Sequence, residues 1–143
     1  MKKRPNIILV MTDQQRWDTV ASYGWRNIIT PNLDQLAAAG TRFLRAFTTS
    51  PVCSTSRSAM ITGRHQSSVG AHQHRTRPRQ DLPQGVETLP QLLSKAGWYC
   101  ALGCGYSAKT DFNFKTAPGL FDGKDWSGRA EGQPFFAQIT IAN

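Results

Sequence analysis

The chain has 143 residues, 39% of them apolar, so it is the size of one ordinary domain and rich enough in apolar side chains to build a core. A formal charge of +8 makes the surface attractive to anions, whether nucleic acid, phosphate, sulfate or acidic polysaccharide, without choosing among them. The three cysteines, Cys53, Cys100 and Cys104, fit neither a disulfide framework nor paired zinc ligation, and no stretch approaches the roughly 20 apolar residues of a membrane span.

Met1-Lys2-Lys3-Arg4 has the charge order of an export leader, but the apolar run after it is short and ends at Asp13 without a small-residue cleavage site. A cytoplasmic location is the default, and a periplasmic or secreted one stays open if a leader is missing. Ile7 to Met11 instead reads as a first strand, and its continuous apolar character suits a parallel sheet covered on both faces. Thr30-Pro31 supplies a cap and a first-turn proline for a helix through Ala39, with Gly40 as its stop. Thr41 to Thr48 alternates as a second strand would.

Pro51 breaks the chain, and Ser54 to Thr62 reads as a helix closed by Gly63, with Cys53 at its N-terminus. His65 to Gly85 is polar, rich in Arg, His, Gln and Pro, and without periodicity, which predicts a long surface loop. Thr88 to Ala96 is a further helix stopped at Gly97, and Trp98 to Leu102 and Phe135 to Ala142 are strand candidates. Strand and helix alternate, so the fold class is α/β. There is no internal repeat and no low-complexity tract.

In such sheets ligands gather at the carboxyl ends of strands, where Asp13 and Gln14 stand. Both offer oxygen, the donor preferred by Ca2+, Mg2+ or Mn2+. Alone, Asp13 at a strand end would more often cap a turn. Its company is Pro51-Val52-Cys53-Ser54-Thr55-Ser56-Arg57, continuing to Ile61-Thr62-Gly63-Arg64. On a helix starting there, Cys53 and Arg57 share one face beside free backbone N–H groups, an arrangement that holds oxyanions. A buried cysteine and a solvated arginine are the ordinary fates of these residue types apart.

This segment resembles the signature of the type I sulfatases, which belong to the alkaline-phosphatase-like superfamily. The first strand with Asp13, the segment Thr30-Pro31-Asn32-Leu33-Asp34-Gln35-Leu36-Ala37 and the cysteine box stand in the family's order and spacing. The likeness runs on through Leu89-Pro90-Gln91-Leu92-Leu93 and Gly97-Trp98 to Pro134-Phe135-Phe136. His72-Gln73-His74 and Lys109-Thr110-Asp111-Phe112-Asn113-Phe114 are similar to a branch related to heparan N-sulfatases.

The resemblance implies an alkaline-phosphatase-like sandwich with a mostly parallel central sheet and flanking helices, truncated here, with residues 1–143 forming the N-terminal part of a sulfatase catalytic domain. It implies that Cys53 is oxidised to formylglycine by a formylglycine-generating or equivalent maturation enzyme. A divalent metal, Ca2+ before Mg2+ or Mn2+, would be held by Asp13, Gln14 and the modified Cys53, with Arg57 and Lys109 as further catalytic residues. The implied reaction is hydrolysis of a sulfuric ester on a small molecule or glycan, including sulfated sugars or sulfamates.

The sequence departs from the family pattern in three places. Thr55 replaces the signature proline, which implies incomplete conversion of Cys53. The metal pair, often two aspartates, is Asp13-Gln14, as in phosphonate monoester hydrolases and many bacterial sulfatases. The usual Gly-Lys-Trp-His stretch is missing, so Lys109 is the nearest match to its lysine. Phosphonate or phosphate ester hydrolysis and a non-catalytic remnant are the alternatives. A nucleic-acid-binding module, prompted by Arg75, Arg77 and Arg79, ranks below them because no recognised motif accompanies the charge.

Overall fold

The computed structural model describes residues 4–25 and 27–142; Met1–Lys3, whose charges entered the leader reading, lie outside the described residues. Two compact units result, one formed by the residues up to Asp13 together with those from Thr48 onward, the other by Gln14–Phe47.

The larger unit is built on a parallel sheet of β1 (Ile7–Thr12), β2 (Tyr99–Leu102) and β3 (Phe135–Ile141) in the order β1-β3-β2. Ile7 to Thr12 pair with Phe136 to Ile141, and Tyr99 to Leu102 pair with Phe135 to Gln138. The last strand in sequence is therefore central, and its residues Phe135 to Thr140 are all buried. Its unbroken run Phe-Phe-Ala-Gln-Ile-Thr-Ile is what a parallel strand covered on both faces requires. β1 departs from the expectation of cover on both faces. Its residues alternate, and Ile8 and Val10 are each 54% exposed. An edge strand with one covered face has this pattern, and the continuous apolar run does not reveal it.

Helix α2 (Cys53–Thr62) ends as expected at Gly63, whose φ of +60° lets its N–H close onto Ala59 and Met60. Helix α3 (Leu89–Lys95) starts with a capping box between Thr88 and Gln91 and lies against β2. One apolar cluster joins Ile61 of α2 to Phe112 and Phe114, with Leu82 and Leu120 against it. A second joins Ala101, Phe135 and Ala137 to Tyr99, Cys104 and Trp126.

His65 to Gly85 carries no helix or strand, as expected, but it is not simply a surface loop. Val69 and Ala71 are fully buried, and Gln66 Nε2 donates to the Thr49 carbonyl at 2.9 Å. Asn113, 1% exposed, fastens the following turn: its Nδ2 donates to Gln73 O (2.7 Å) and its Oδ1 accepts from Thr76 N (2.8 Å).

In the smaller unit, helix α1 (Pro31–Ala39) has its first-turn proline, but Thr30 does not cap it by side chain. The Thr30 hydroxyl instead accepts from Ala21 N and donates to Asp34, serving the short 3-10 turn Ala21–Tyr23. The strand expected over Thr41 to Thr48 does not form. Tyr23 Oη donates to Phe43 O, Arg42 lies over the Tyr23 ring, and Phe43, Leu44 and Phe47 are exposed, so alternation here has no ladder to join. Among the described residues no helix is long and apolar enough to cross a membrane.

Phe112 and Phe114 stack with centroids 5.3 Å apart, both fully buried. Phe114→Ala is expected to cost about 3–5 kcal/mol in chemical denaturation, the usual loss for truncating a packed core aromatic. A loss below about 1 kcal/mol would place this cluster outside the cooperative core.

Candidate active site

Because the strands are parallel, their carboxyl ends share one edge. Asp13 continues the ladder past β1, its N–H donating to Ile141 O at 2.9 Å. Its carboxylate meets two cations. Arg57 Nη2 reaches Oδ1 at 3.3 Å, and the Lys109 ammonium is hydrogen-bonded to Oδ2. The Arg57 side chain is 7% exposed and also donates through Nη1 to Lys109 O and Thr140 Oγ1, both at 3.2 Å. Thus β1, β3, α2 and the segment before Phe112 converge on one guanidinium.

Magnitude separates this cluster from the exposed ion pairs. Lys95–Glu87 and Lys115–Asp81 are exposed, and such pairs contribute about 0–1 kcal/mol. Breaking a buried pair costs about 3–5 kcal/mol because it strands a charge. The Lys109 ammonium beside Asp13, with Arg57 assisting, holds the Asp13 carboxyl below its usual range against the opposing effect of burial.

Cys53 opens α2, preceded by Val52, which has no side-chain acceptor for the helix N-terminus. The first-turn N–H groups have no partners within the helix, so they remain available to an anion carried at Cys53. Arg57 lies four residues on. Thr55, in place of the signature proline, is 2% exposed, and its hydroxyl donates to Val52 O (2.9 Å) and shares a hydrogen bond with Ser50 Oγ (2.7 Å). The first helical backbone bond is Ser56 N to Val52 O, so the Thr55 N–H lies before the ladder.

The other cysteines differ from Cys53. Cys100 is fully buried, and burial pushes its thiol up to about 11, where it stays protonated. Burial also raises Cys104. Gln14 follows Asp13 with a left-handed φ of +55°, a conformation that non-glycine residues adopt at a cost, and it belongs to the smaller unit.

Four residues beside this site, Ser54, His74, Arg75 and Asp111, are named by the sequence reading but not assigned to the site. Ser54, fully buried, shares a hydrogen bond with His74 Nδ1 (2.9 Å) and accepts from Arg75 N (3.2 Å). Arg75 forms a two-pronged pair with Asp111, Nε to Oδ1 at 2.9 Å and Nη2 to Oδ2 at 2.8 Å. The segments His72-Gln73-His74 and Lys109 to Phe114 had been noticed as family features. Their mutual pairing, across 36 residues for Arg75 and Asp111, leaves no local signal.

An α/β unit with a buried guanidinium, an ionised carboxylate and a helix N-terminus at the carboxyl edge of its parallel sheet has the layout of an oxyanion-handling hydrolase. The sulfatase family profile matches residues 5–138, and the chain belongs to that family. It is 33% identical to an ulvan-active sulfatase of Formosa agariphila over all of this chain and 26% of that protein. It is 37% identical to human N-acetylgalactosamine-6-sulfatase over 66% of this chain and 20% of that protein. The chain thus spans about a quarter or less of these relatives' length. The fold matches a structure solved with D-glucosamine-2-N,6-O-disulfate as its substrate, at TM-score 0.76 and 22% identity, covering 96% of this chain and 34% of that one. A phosphonate monoester hydrolase of Agrobacterium radiobacter matches at TM-score 0.66 and 26% identity, over 96% of this chain and 26% of that one.

A carboxyl whose folded pKa lies below its unfolded value stabilises the fold fully above the ordinary carboxylate range, and that contribution disappears as pH falls through the depressed value. In a carbon-detected NMR titration, Asp13 is expected to titrate below the ordinary aspartate value, and Lys109→Met to move its midpoint upward. An unchanged midpoint in that variant would remove Lys109 as the leading cause.

Proposed function

We propose that this chain carries the nucleophile-bearing part of a sulfuric ester hydrolase acting on sulfated sugars. One observation carries the reading: Cys53 starts the helix whose next turn supplies Arg57, and Arg57 and Lys109 clasp Asp13 at the carboxyl edge of the sheet. Family membership supports the chemistry, and the relatives named for N-acetylgalactosamine-6-sulfate and ulvan support a sulfated glycan as substrate.

The donor set suits a hard divalent cation in kind. Asp13 is held ionised and Gln14 carries an amide oxygen, both donors of the kind such a cation takes. Calcium is the first choice, and it would be held by Asp13, Gln14 and the oxygen of the modified Cys53 together with ligands from elsewhere, since such ions take about 6–8 oxygens. Bound there, the metal would polarise a sulfate oxygen.

Oxidised to formylglycine and hydrated, Cys53 would offer two hydroxyls. One would attack sulfur as the bond from sulfur to the sugar oxygen breaks and the sugar leaves as the alcohol, and the other would then lose its proton and expel sulfate as the aldehyde re-forms. The chain's own residues prepare that exchange. The α2 N–H groups and Arg57 place positive potential where the group at position 53 bears negative charge. Lys109, paired with Asp13 and 24% exposed at its side chain, would balance the transferring oxyanion or supply a proton to the leaving oxygen. Ser54 and His74, joined by a hydrogen bond, fix the turn beside the nucleophile.

A second reading, hydrolysis of a phosphonate monoester, is favoured by the Asp13-Gln14 pair and by the Agrobacterium neighbour. Turnover of an aryl sulfate against an aryl phosphonate monoester decides between them. The sulfate is expected to be preferred, with Cys53→Ala and chelation each abolishing activity. A preference for the phosphonate would install the second reading.

Thr55 gives a separate expectation. Its N–H precedes the helical ladder, so proline fits that first-turn position and removes only the side-chain bonds to Ser50 and Val52. In a host that makes formylglycine, peptide mass spectrometry should find Cys53 partly converted and Thr55→Pro converted further. Complete conversion in the parent protein would show that threonine is harmless there.

A further inference from the structure

Beside Cys53 the Gln73 to Arg77 turn is held in a strained and fully specified form. Arg75 and Asp111, which pair with each other, both sit in the left-handed region, with φ +50° and +51°. Neither is glycine, and strain of this kind persists only where surrounding contacts enforce it. Those contacts are present: Asn113 ties Gln73 and Thr76, and Ser54 ties His74 and the Arg75 N–H. A turn whose only task was to cross the surface would not need them.

The ion pair fixes the plane of the Arg75 guanidinium while leaving much of it available. Asp111 takes Nε and Nη2, whereas Nη1 has no partner among the described residues and the side chain is 51% exposed. The Arg75 N–H donates to the hydroxyl of Ser54, the residue next to Cys53, at 3.2 Å, which sets the turn beside the proposed nucleophile. Next to it opens a cavity of about 450 Å³ lined by His72, Gln73, Thr76, Arg77 and Gln80. This is within the size range of small-ligand sites. Arg77 is exposed and has no acidic partner among the described residues, while the nearby Asp81 is matched by Lys115.

We propose that this turn and cavity form an anion-binding subsite, with Arg75 and Arg77 holding a second acidic group of the saccharide whose sulfate lies at Cys53. The inference rests on the proposed sulfate-ester hydrolysis and extends it from a sulfated sugar to a polyanionic one. A planar fork favours a carboxylate or sulfate and binds it through paired hydrogen bonds. Asn113 and Asp111 act as positioning residues. Uronate carboxylate and second sulfate share this chemistry.

The test is calorimetric binding to the full-length protein bearing Cys53→Ala, so that nothing is turned over. Three probes are compared: a monosulfated hexosamine, the same hexosamine linked to a uronic acid, and the same pair with a sulfate in place of the carboxylate. At least one dianionic probe is expected to bind about tenfold or more tightly than the monoanion, as one or two charge-assisted hydrogen bonds require. That gain should shrink at high salt. Arg75→Ala should abolish most of the gain, and so should Arg77→Ala, whose exposed side chain has no hydrogen bond to lose on folding. The carboxylate and sulfate arms identify which anion is preferred. Equal affinity for all three probes, or a gain that survives both arginine substitutions, overturns the subsite. Rapid hydrolysis of the monosulfated sugar with no gain from a second anion would contradict the subsite alone. Tight dianion binding in a formylglycine-bearing protein that hydrolyses no sulfate ester would support the subsite and contradict the catalytic reading.

Discussion

One carboxylate between two cations organises the larger unit. Arg57 is too buried to stand without an anion, and among the described residues Asp13 is the one paired with it. The same guanidinium bonds the Lys109 carbonyl and the Thr140 hydroxyl, so meeting its charge also fixes β1, β3 and the segment leading to Phe112 in one arrangement. Lys109 completes the balance from the other side of the carboxylate. Two positive charges against one negative leave the cluster with a net attraction for a further anion.

The position of Cys53 follows from that arrangement. Helix α2 is held from within by Ile61 packing on Phe112 and Phe114, and from its first turn by Ser54 and Thr55. Cys53, the proposed nucleophile, therefore stands on a rigid element, with the helix N-terminus adding positive potential. Cys100 shows the contrast, for a thiol in the core with a raised pKa does not ionise readily.

Local signals in the sequence carried most of this architecture. A short apolar run ending in Asp13, a proline before Cys53 and a glycine after Thr62 each act within a few residues, and each produced the expected element. Alternation in Thr41 to Thr48 misled because a strand also needs a partner ladder, which the chain does not offer there. The cover on β1 was overestimated for a related reason: hydrophobicity records what a residue tolerates, whereas exposure depends on where its strand sits in the sheet. The Arg75–Asp111 pair and the Thr140 contact lay beyond reach because each joins segments far apart in sequence.

The central claim is that position 53 attacks sulfur and that a second hydroxyl on the same carbon is what releases the product. Serine at this position has one hydroxyl and no second one to expel sulfate. Incubating the full-length Cys53→Ser protein with an aryl sulfate and measuring intact mass and peptide fragments tests this directly. One equivalent of sulfate, stable and confined to residue 53, with turnover lost, is the expected result. Undiminished turnover in that variant, or sulfate attached at another residue, would contradict the assignment of the nucleophile.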